Sequence, residues 1–435
     1  RQARSARRVS RCSPAGDSGL VAWFSPCKVI LLERLVYSMV EDTVRLVKCV
    51  ATTDQLIRGL SMTVPMNKLY RPTQEEHARQ GFVGALKKYV NGELERDVVR
   101  RHHDELAPAF NAKHGHDATN RYEAIPVLEP DPDFQLWCST VYSSQDLLWE
   151  TTGETVDRLL PQFDQRAADI EANPKRLGTL QLDPKLELPQ PIGSTEIHRQ
   201  PGGYFYRQSH ADLSAALLYM GSVEIYRTAK GFGQIGDPCD TSSGRSLAQM
   251  LSGKYPELAP QRVLDMGCGV GAMAMGLKQA WPQAEVHGLD LSAPFVRFAH
   301  LWANDLGLEL HMRQADAANT GYPDGHFDVI VSQILFHETW HDKLPAIMRE
   351  AHRLLRPGGV FFNIDTPYQP DRIGLPEQVL NNWQVTNNGE PFWVGFSETA
   401  VQKEMLQAGF DPASVFATYQ AIGGGREFFL FGGQK

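Results

Sequence analysis

Three glycines at alternate positions, bordered by two acidic residues, form the stretch best suited to chemistry. Gly267, Gly269 and Gly271 follow Asp265, and Asp290 ends the next apolar run. Glycine lets the backbone turn sharply and lets a ligand approach where a Cβ would collide. A helix that begins after the turn offers free N–H groups to electronegative ligand atoms. An acid at the end of the second strand can accept hydrogen bonds from both ribose hydroxyls. The stretch therefore predicts a strand–turn–helix–strand unit that holds a nucleoside.

Two classes of nucleoside ligand fit this pattern. Gly267, Gly269 and Ala272 satisfy the G-x-G-x-x-G/A pattern of dinucleotide sites, so a nicotinamide-dependent oxidoreductase is one alternative. Asp265 favours S-adenosylmethionine, because a carboxylate there can reach the ligand's cationic amino group, directly or through water. It would have no such role against an anionic pyrophosphate. The D-x-G-x-G-x-G run resembles the first motif of the class I S-adenosylmethionine-dependent methyltransferases, and Asp290 matches the acid of their second motif.

The resemblance covers residues 204–435 and implies a fold and a cofactor site. The implied fold is α/β, a doubly wound, Rossmann-like sheet of seven strands in the order 3-2-1-4-5-7-6, with the seventh strand antiparallel. The implied cofactor is S-adenosyl-L-methionine, and its product is S-adenosyl-L-homocysteine. Asp316 resembles the acid of the family's third motif, which accepts from the adenine amino group, while the next backbone N–H meets a ring nitrogen. The predicted cofactor-binding residues are Asp265, Gly267, Cys268, Gly269, Gly271, Asp290, Leu291, Asp316, Ala317, Gln333 and Tyr206.

Apolar runs and turn residues indicate where the other elements of this region lie. Further strands are predicted at 308–313, 327–335, 360–364, 415–420 and 427–431. Helices are predicted at 272–281, 293–306 and 344–355. Ser397 is expected to cap one more helix, which ends at Gly409. The glycine-rich residues 231–244 follow no strand, so we interpret them as a flexible loop rather than a phosphate site.

His337 and Glu338 follow the fourth predicted strand, whose carboxyl end should face the ligand crevice of an open α/β sheet. Methyl transfer from a sulfonium is an in-line displacement, so the enzyme must hold donor and acceptor aligned. A base is needed if the acceptor is a hydroxyl or a carbon acid. His337 is the candidate base, because the ordinary pKa of histidine suits proton transfer near neutrality. The alternatives are that His337 bonds the backbone or only orients the substrate.

Residues 337–341 also match H-E-x-x-H, a zinc-protease signature. That interpretation needs both histidines on one helix, and Pro345 would disturb a helix that continued past His341. No G-x-x-H follows the run. A second group of histidines lacks any C-x-x-C or H-x-x-x-H pair: His102, His103, His114 and His116. We therefore predict no metal site.

Residues 366–396 exceed a minimal methyltransferase and are rich in aromatic side chains: Tyr368, Trp383, Phe392, Trp393 and Phe396. We expect this insertion to form a lid over an apolar or planar acceptor. A dimer contact is the alternative, since exposed aromatic residues also mark protein interfaces. The predicted substrate-binding residues are His337, Glu338, Trp383, Phe392 and Trp393.

Residues 61–203 are predicted to be a mostly helical cap or a homodimerisation region. Helices are expected at 66–118 and 134–163, a proline-rich connection at 119–133, and an extended linker or covering arm at 173–203. Tyr204, Tyr206 and Arg207 are candidates for closing the pocket, or alternatively for packing between domains. Residues 1–60 are expected to be poorly ordered: their start is rich in arginine and serine, which suits a transit-like leader, a basic arm or non-native sequence.

Composition excludes several classes of function. The 435 residues are 42% hydrophobic and 22% charged, as in ordinary globular proteins, and the net charge of -8 argues against nucleic-acid or anionic-membrane binding. Six scattered cysteines without a C-x-x-C pair suit free thiols in a reducing cytoplasm. No apolar run approaches the ~20 residues that span a bilayer. The prediction is a cytoplasmic methyltransferase for a small, apolar or planar molecule. The alternatives are the nicotinamide-dependent oxidoreductase and a non-catalytic cofactor-binding protein.

Overall fold

The computed structural model describes residues 66–205, 212–229, 240–367, 370–422 and 426–435. Ser61–Lys435 form one compact unit. The predictions for residues 1–60, Tyr206, Arg207, Tyr368 and most of the 231–244 loop lie outside the described residues.

An eight-stranded sheet lies at the centre of this unit. Its strands are β1 (Thr179–Gln181), β2 (Arg262–Met266), β3 (Glu285–Asp290), β4 (His311–Gln314), β5 (Phe327–Gln333), β6 (Leu355–Asp365), β7 (Phe416–Ile422) and β8 (Arg426–Gln434). The spatial order is β1-β4-β3-β2-β5-β6-β8-β7. Strand β8 is antiparallel to both of its neighbours, and all other pairs are parallel.

The predicted count of seven strands was wrong, because β1 adds an eighth at the edge of the sheet. The remaining seven follow the predicted order, with the seventh antiparallel. Strand β1 lies in the segment predicted to be a linker and pairs with β4 over three residues, too few to give a periodic signal. Gly178 makes the pairing sterically feasible: its φ is +67°, and a Cβ there would lie 1.9 Å from the carbonyl oxygen of Leu310.

Helices cover both faces of the sheet and build the N-terminal region. They are α1 (Gln74–Tyr89), α2 (Glu95–Arg101), α3 (Ala107–His114), α4 (Arg121–Leu128), α5 (Pro132–Glu171), α6 (Ser214–Ala229), α7 (Ser242–Lys254), α8 (Ala272–Ala280), α9 (Ala293–Asp305), α10 (Leu344–Leu354), α11 (Leu375–Asn387), α12 (Trp393–Ser397) and α13 (Val401–Ala408). Two π-helical turns, Val90–Leu94 and His102–Leu106, join α1, α2 and α3. Within the described part of the chain, no helix combines the length and the apolar character that a membrane span requires.

The helical predictions for 66–118 and 134–163 are confirmed, but the proline-rich connection at 119–133 was wrong. Helix α4 forms there in spite of Pro126. The side chain of Asn120 caps it by accepting from two backbone N–H groups, and its apolar face packs against Val379 and Leu380 of α11. Ser397 does not cap a helix as predicted but ends α12.

The helical region and the sheet share one hydrophobic core along α9. Phe163 of α5 packs against Phe298 of α9 with 6.4 Å between ring centroids, and Trp302 is fully buried beside them. An ion pair between Arg166 and Asp305 joins the same two helices. The long helix α5 therefore fixes the N-terminal region against the helix that follows Asp290.

Candidate active site

The turn after β2 has the geometry that its glycines predicted. Gly267, Gly269 and Gly271 have φ values of +73°, +52° and +85°, which side chains other than glycine rarely adopt. A Cβ at Gly267 would lie 2.7 Å from the side chain of Leu335, and one at Gly271 would lie 2.7 Å from Ala299 Cβ. A Cβ at Gly269 would meet nothing within 4 Å, so its backbone borders open space.

Asp290 ends β3 beside this turn, and its carboxylate is held by backbone N–H groups. Oδ2 accepts from Gly269 at 2.9 Å, and Oδ1 accepts from Ser292 at 2.9 Å. Burial raises the pKa of Asp290 to about 6. The carboxylate keeps unused lone pairs, so it can accept further hydrogen bonds from a hydroxylated ligand.

One cavity of about 600 Å³ opens along the carboxyl ends of the central strands. Its wall includes ten of the predicted site residues: Gly267, Gly269, Asp290, Leu291, Asp316, Ala317, Gln333, His337, Glu338 and Trp393. The ends of β3 and β5 and the loops that follow β2 and β4 contribute, as expected where parallel strands meet at one edge of a sheet. The nucleoside-type turn and the candidate base therefore face the same space.

His337 lies in a short 3₁₀ helix, Phe336–Glu338, and forms a dyad with the buried Asp365. Its Nδ1 is 2.6 Å from Oδ1 of Asp365, which ends β6 and has no exposed surface. The backbone N–H groups of Phe336 and Thr366 also donate to this carboxylate. Burial alone would lower the pKa of His337, but the charge and hydrogen bond of Asp365 raise it well above the usual value.

The loop between β5 and His337 contains strained backbone. Ile334, between β5 and His337, has a φ of +61°, which is unfavourable for a β-branched residue. Its N–H donates to Ile364 in β6 at 2.9 Å, so the sheet holds this conformation in place. Such strain commonly marks functional sites, because surrounding structure must maintain it.

Comparisons with known proteins agree with this geometry. A family model described as "Methyltransferase domain" matches residues 263–359. The chain is 37% identical over 114 residues to a demethylmenaquinone methyltransferase from Thermus thermophilus, covering 26% of this chain and 51% of the relative. It is 30% identical over 173 residues to a 27-O-demethylrifamycin SV methyltransferase from Amycolatopsis mediterranei, covering 39% and 60%. A fatty-acid O-methyltransferase from Mycolicibacterium smegmatis is 34% identical over 117 residues, covering 27% and 40%.

Residues 263–359 therefore match a methyltransferase domain, which confirms the predicted resemblance to the class I S-adenosylmethionine-dependent methyltransferases. The chain spans about half the length of the curated relatives it matches.

The residues of the methyltransferase domain fit S-adenosylmethionine. The backbone at Gly269 is open to the cavity, and the Asp290 carboxylate faces it. Below the turn, Asp265 accepts a hydrogen bond from Ala274 N–H, while its buried Oδ2 has no hydrogen-bond partner among the described residues. Burial, and to a lesser extent the charge of Asp290, raises the pKa of Asp265 to about 7.

Five predicted site residues are not part of the cavity wall: Asp265, Cys268, Gly271, Trp383 and Phe392. The first three shape the turn from below, where Asp265 points towards the start of α8 and Cys268 is buried. Trp383 packs against Phe134 of α5 at 5.9 Å between centroids, because α11 turns its apolar face to the helical region. Phe392 is buried against Trp340, whose ring centroid is 6.0 Å away.

The sequence did not reveal three residues of the site: Asp365, Glu390 and His198 of the 173–203 segment. It also did not reveal the contact between Tyr204 and Glu338. Asp365 had a usable signal, because it ends an apolar strand just as Asp290 does. His198 lies in a proline-rich segment without periodicity, and Glu390 lies between two helices of the insertion. Neither of these two had a local pattern that indicated a role.

Proposed function

We propose that this chain transfers a methyl group from S-adenosylmethionine to a small molecule with an apolar or planar surface. One observation carries the proposal: a single cavity extends from the glycine turn and Asp290 to His337. The methyl donor and the acceptor would therefore share one cavity, and orientation of the reactants supplies much of the rate enhancement in such reactions.

At the cofactor end, the carboxylate of Asp290 would accept from the ribose hydroxyls, and Gly267 and Gly269 would let the ligand lie against the backbone. Asp316 lines the same end, and its Oδ1 accepts from Ala318 N–H at 2.8 Å, which fixes the side chain near the expected adenine position. When bound, S-adenosylmethionine supplies an electrophilic methyl group.

Aromatic side chains favour an apolar or planar acceptor. Tyr204, Tyr219 and Phe295 pack on one another, with ring centroids 5.1–5.8 Å apart, and line the cavity. Trp393 lines it close to His337, at 6.2 Å between ring centroids. The relatives described above are named for demethylmenaquinone, demethylrifamycin SV and a fatty acid, which is consistent with such an acceptor.

His337 would act as the general base for an acceptor hydroxyl or carbon acid. Asp365 fixes the Nδ1–H tautomer, so Nε2 is the nitrogen that accepts the proton. The same carboxylate would stabilise the imidazolium that forms. Because Asp365 raises the pKa of His337, the neutral imidazole is a stronger base than an isolated histidine, but it is populated less at neutral pH, so turnover should increase as pH rises.

Calorimetry with S-adenosylhomocysteine tests the cofactor half of the proposal. We expect saturable binding at one site per chain and no heat with NADH, the ligand of the alternative oxidoreductase. Turnover is then measured as S-adenosylhomocysteine released in the presence of a panel of hydroxylated quinones, phenols and fatty acids. The absence of heat with S-adenosylhomocysteine would overturn the proposal, and binding without turnover on any acceptor would favour a non-catalytic protein.

A further inference from the structure

Three residues from separate parts of the chain meet at the acceptor end of the cavity. His198 belongs to the short helix Ile197–Arg199 of the covering arm, Glu338 follows β5, and Glu390 lies between α11 and α12. Oε1 of Glu338 is 2.7 Å from Nε2 of His198, and Oε1 of Glu390 is 2.9 Å from Nδ1. All three residues line the cavity, and their side chains are 12–20% exposed.

Each of the three carries a buried polar atom without a hydrogen-bond partner among the described residues. These atoms are His198 Nδ1, Glu338 Oε2 and Glu390 Oε2. The contact of Nδ1 with Glu390 is close but lacks the alignment of a hydrogen bond. Burying polar atoms without partners is unfavourable, and three such atoms in one cluster point to a missing ligand.

The backbone around His198 is strained and firmly held. Its φ is +53°, its N–H donates to Gly389 at 2.6 Å, and its carbonyl accepts from both Gln145 and Trp149. Gly389 precedes Glu390, and a Cβ there would lie 2.7 Å from the backbone nitrogen of Arg199. The arm and the insertion are thus fastened together at the point where their side chains meet, which indicates that the position of the imidazole matters.

The donor set is one imidazole nitrogen and two carboxylate oxygens, which lie within 4.8 Å of one another. Imidazole together with carboxylate suits Zn²⁺, Mn²⁺ and Fe²⁺, whereas Mg²⁺ prefers oxygen ligands alone. A divalent cation would also balance the two carboxylate charges. His341, the second histidine of the H-E-x-x-H run, takes no part, since it is exposed and pairs with Asp342.

We propose that His198, Glu338 and Glu390 bind one divalent transition-metal ion at the acceptor end of the cavity. The prediction of no metal site could not anticipate this cluster, because its members are far apart in the sequence. The role of this ion rests on the proposed function. The ion would coordinate an acceptor oxygen next to His337 and so lower the pKa of the acceptor hydroxyl that loses its proton.

Metal binding is tested on the full chain after treatment with a chelator and desalting. Mn²⁺, Zn²⁺ and Mg²⁺ are titrated separately by calorimetry, and bound Mn²⁺ is counted by electron paramagnetic resonance. We expect one Mn²⁺ or Zn²⁺ per chain and weaker binding of Mg²⁺. The variant Glu390→Gln should weaken binding at least about tenfold. The matched control Glu187→Gln, an exposed glutamate on the same arm, should bind as the unaltered chain does.

Two results would overturn the inference: no saturable one-site binding by the unaltered chain, or equal affinity in the unaltered chain and folded Glu390→Gln. Either result would mean that His198 is an imidazolium that pairs with the carboxylates of Glu338 and Glu390. The unaltered chain alone can decide the question if the variant does not fold, as judged by circular dichroism. Calorimetry with S-adenosylhomocysteine on the same samples separates the two proposals, because loss of that heat, and not loss of metal binding, contradicts the proposed function.

Discussion

At the scale of single residues, the chemistry proposed here depends on one dyad. Replacing His337 with alanine removes the proton acceptor but leaves the glycine turn and Asp290 untouched. We expect turnover to fall about 10²–10⁴-fold, the usual contribution of general-base catalysis, with little change in S-adenosylhomocysteine affinity. Steady-state kinetics and calorimetry measure the two quantities. Unchanged turnover would remove His337 from the mechanism.

Asp365 would act through His337 in the proposed mechanism, so its replacement should have a different effect. Asp365→Asn keeps the size of the side chain but removes the charge that fixes and stabilises the imidazole. We expect a lower kcat, an unchanged KM for the acceptor, and no further loss when the change is combined with His337→Ala. Full additivity of the two changes in the double variant would show that Asp365 acts independently of His337.

Local pattern explains which site residues could be predicted from the sequence. The glycines, Asp290 and His337 each lie directly after an apolar run, and position along a strand determines where they lie in the fold. His198 and Glu390 reach the site only through long-range contacts between the arm and the insertion. Such contacts depend on tertiary packing, for which a single sequence offers no periodic signal.

At the scale of elements, the packing of α8 against α9 depends on Gly271. Gly271→Ala would place a methyl group 2.7 Å from Ala299 Cβ and would force alanine into left-handed backbone. Gly307→Ala is the matched control, because its φ is +69° but no atom lies within 4 Å of the added Cβ. We expect the control to cost about 1 kcal/mol of unfolding free energy and Gly271→Ala about 1–3 kcal/mol more, measured by urea unfolding. Equal losses of unfolding free energy in the two variants would mean that α9 shifts to accommodate the added methyl group without a loss of stability.

The contact between α1 and α5 should make stability depend on pH. Hydrogen bonds from Arg158 lower the pKa of Glu76 to about 2, against the opposing effect of burial. A carboxyl group with a lowered pKa stabilises the fold above its unfolded pKa, and this stability is lost as pH falls towards the folded value. Arg158→Met should therefore reduce the unfolding free energy at neutral pH by about 1 kcal/mol, a value at the low end for a charged hydrogen bond because Arg158 is 38% exposed and solvent screens the pair. The difference from the unaltered chain should narrow between about pH 4 and pH 2.

Arg79 supplies the control for this experiment, because it joins the same two helices through an exposed pair with Glu154. Arg79→Met should lower the unfolding free energy much less than Arg158→Met does, because solvent screens an exposed pair. A gap between Arg158→Met and the unaltered chain that stayed constant with pH would mean that packing of the arginine, rather than its charge, stabilises the contact.

The elements that the sequence predicted are those with long, regular patterns. Strands β2, β3, β5 and β6 are buried apolar runs, and α5 repeats apolar residues over its whole length. Strand β1 and helix α4 escaped prediction because they depend on particular local contacts, a glycine that permits close approach and an asparagine cap. The prediction from proline content, that residues 119–133 and 173–203 are connections, therefore missed an element in each segment.

At the scale of the whole molecule, the insertion joins the helical region to the site. Helix α11 packs its apolar face on the helical region, while Trp393 and Glu390 face the cavity. The predicted lid would give the aromatic side chains of residues 366–396 one shared role, which is to cover the acceptor. The arrangement instead separates them into a structural group around Trp383 and a group that lines the cavity.

This division makes the two tryptophans a matched pair. Trp393→Ala should raise the KM for the acceptor about tenfold, because a ring that lines the cavity contributes on the order of 1–2 kcal/mol of contact to a planar ligand, while stability changes little. Trp383→Ala should lower the unfolding free energy by up to about 3 kcal/mol and leave KM unchanged, because its ring packs against Phe134. Acceptor kinetics and urea unfolding on both variants test the pair. A KM effect from Trp383→Ala, without one from Trp393→Ala, would show that the acceptor enters beside α11 and not beside His337.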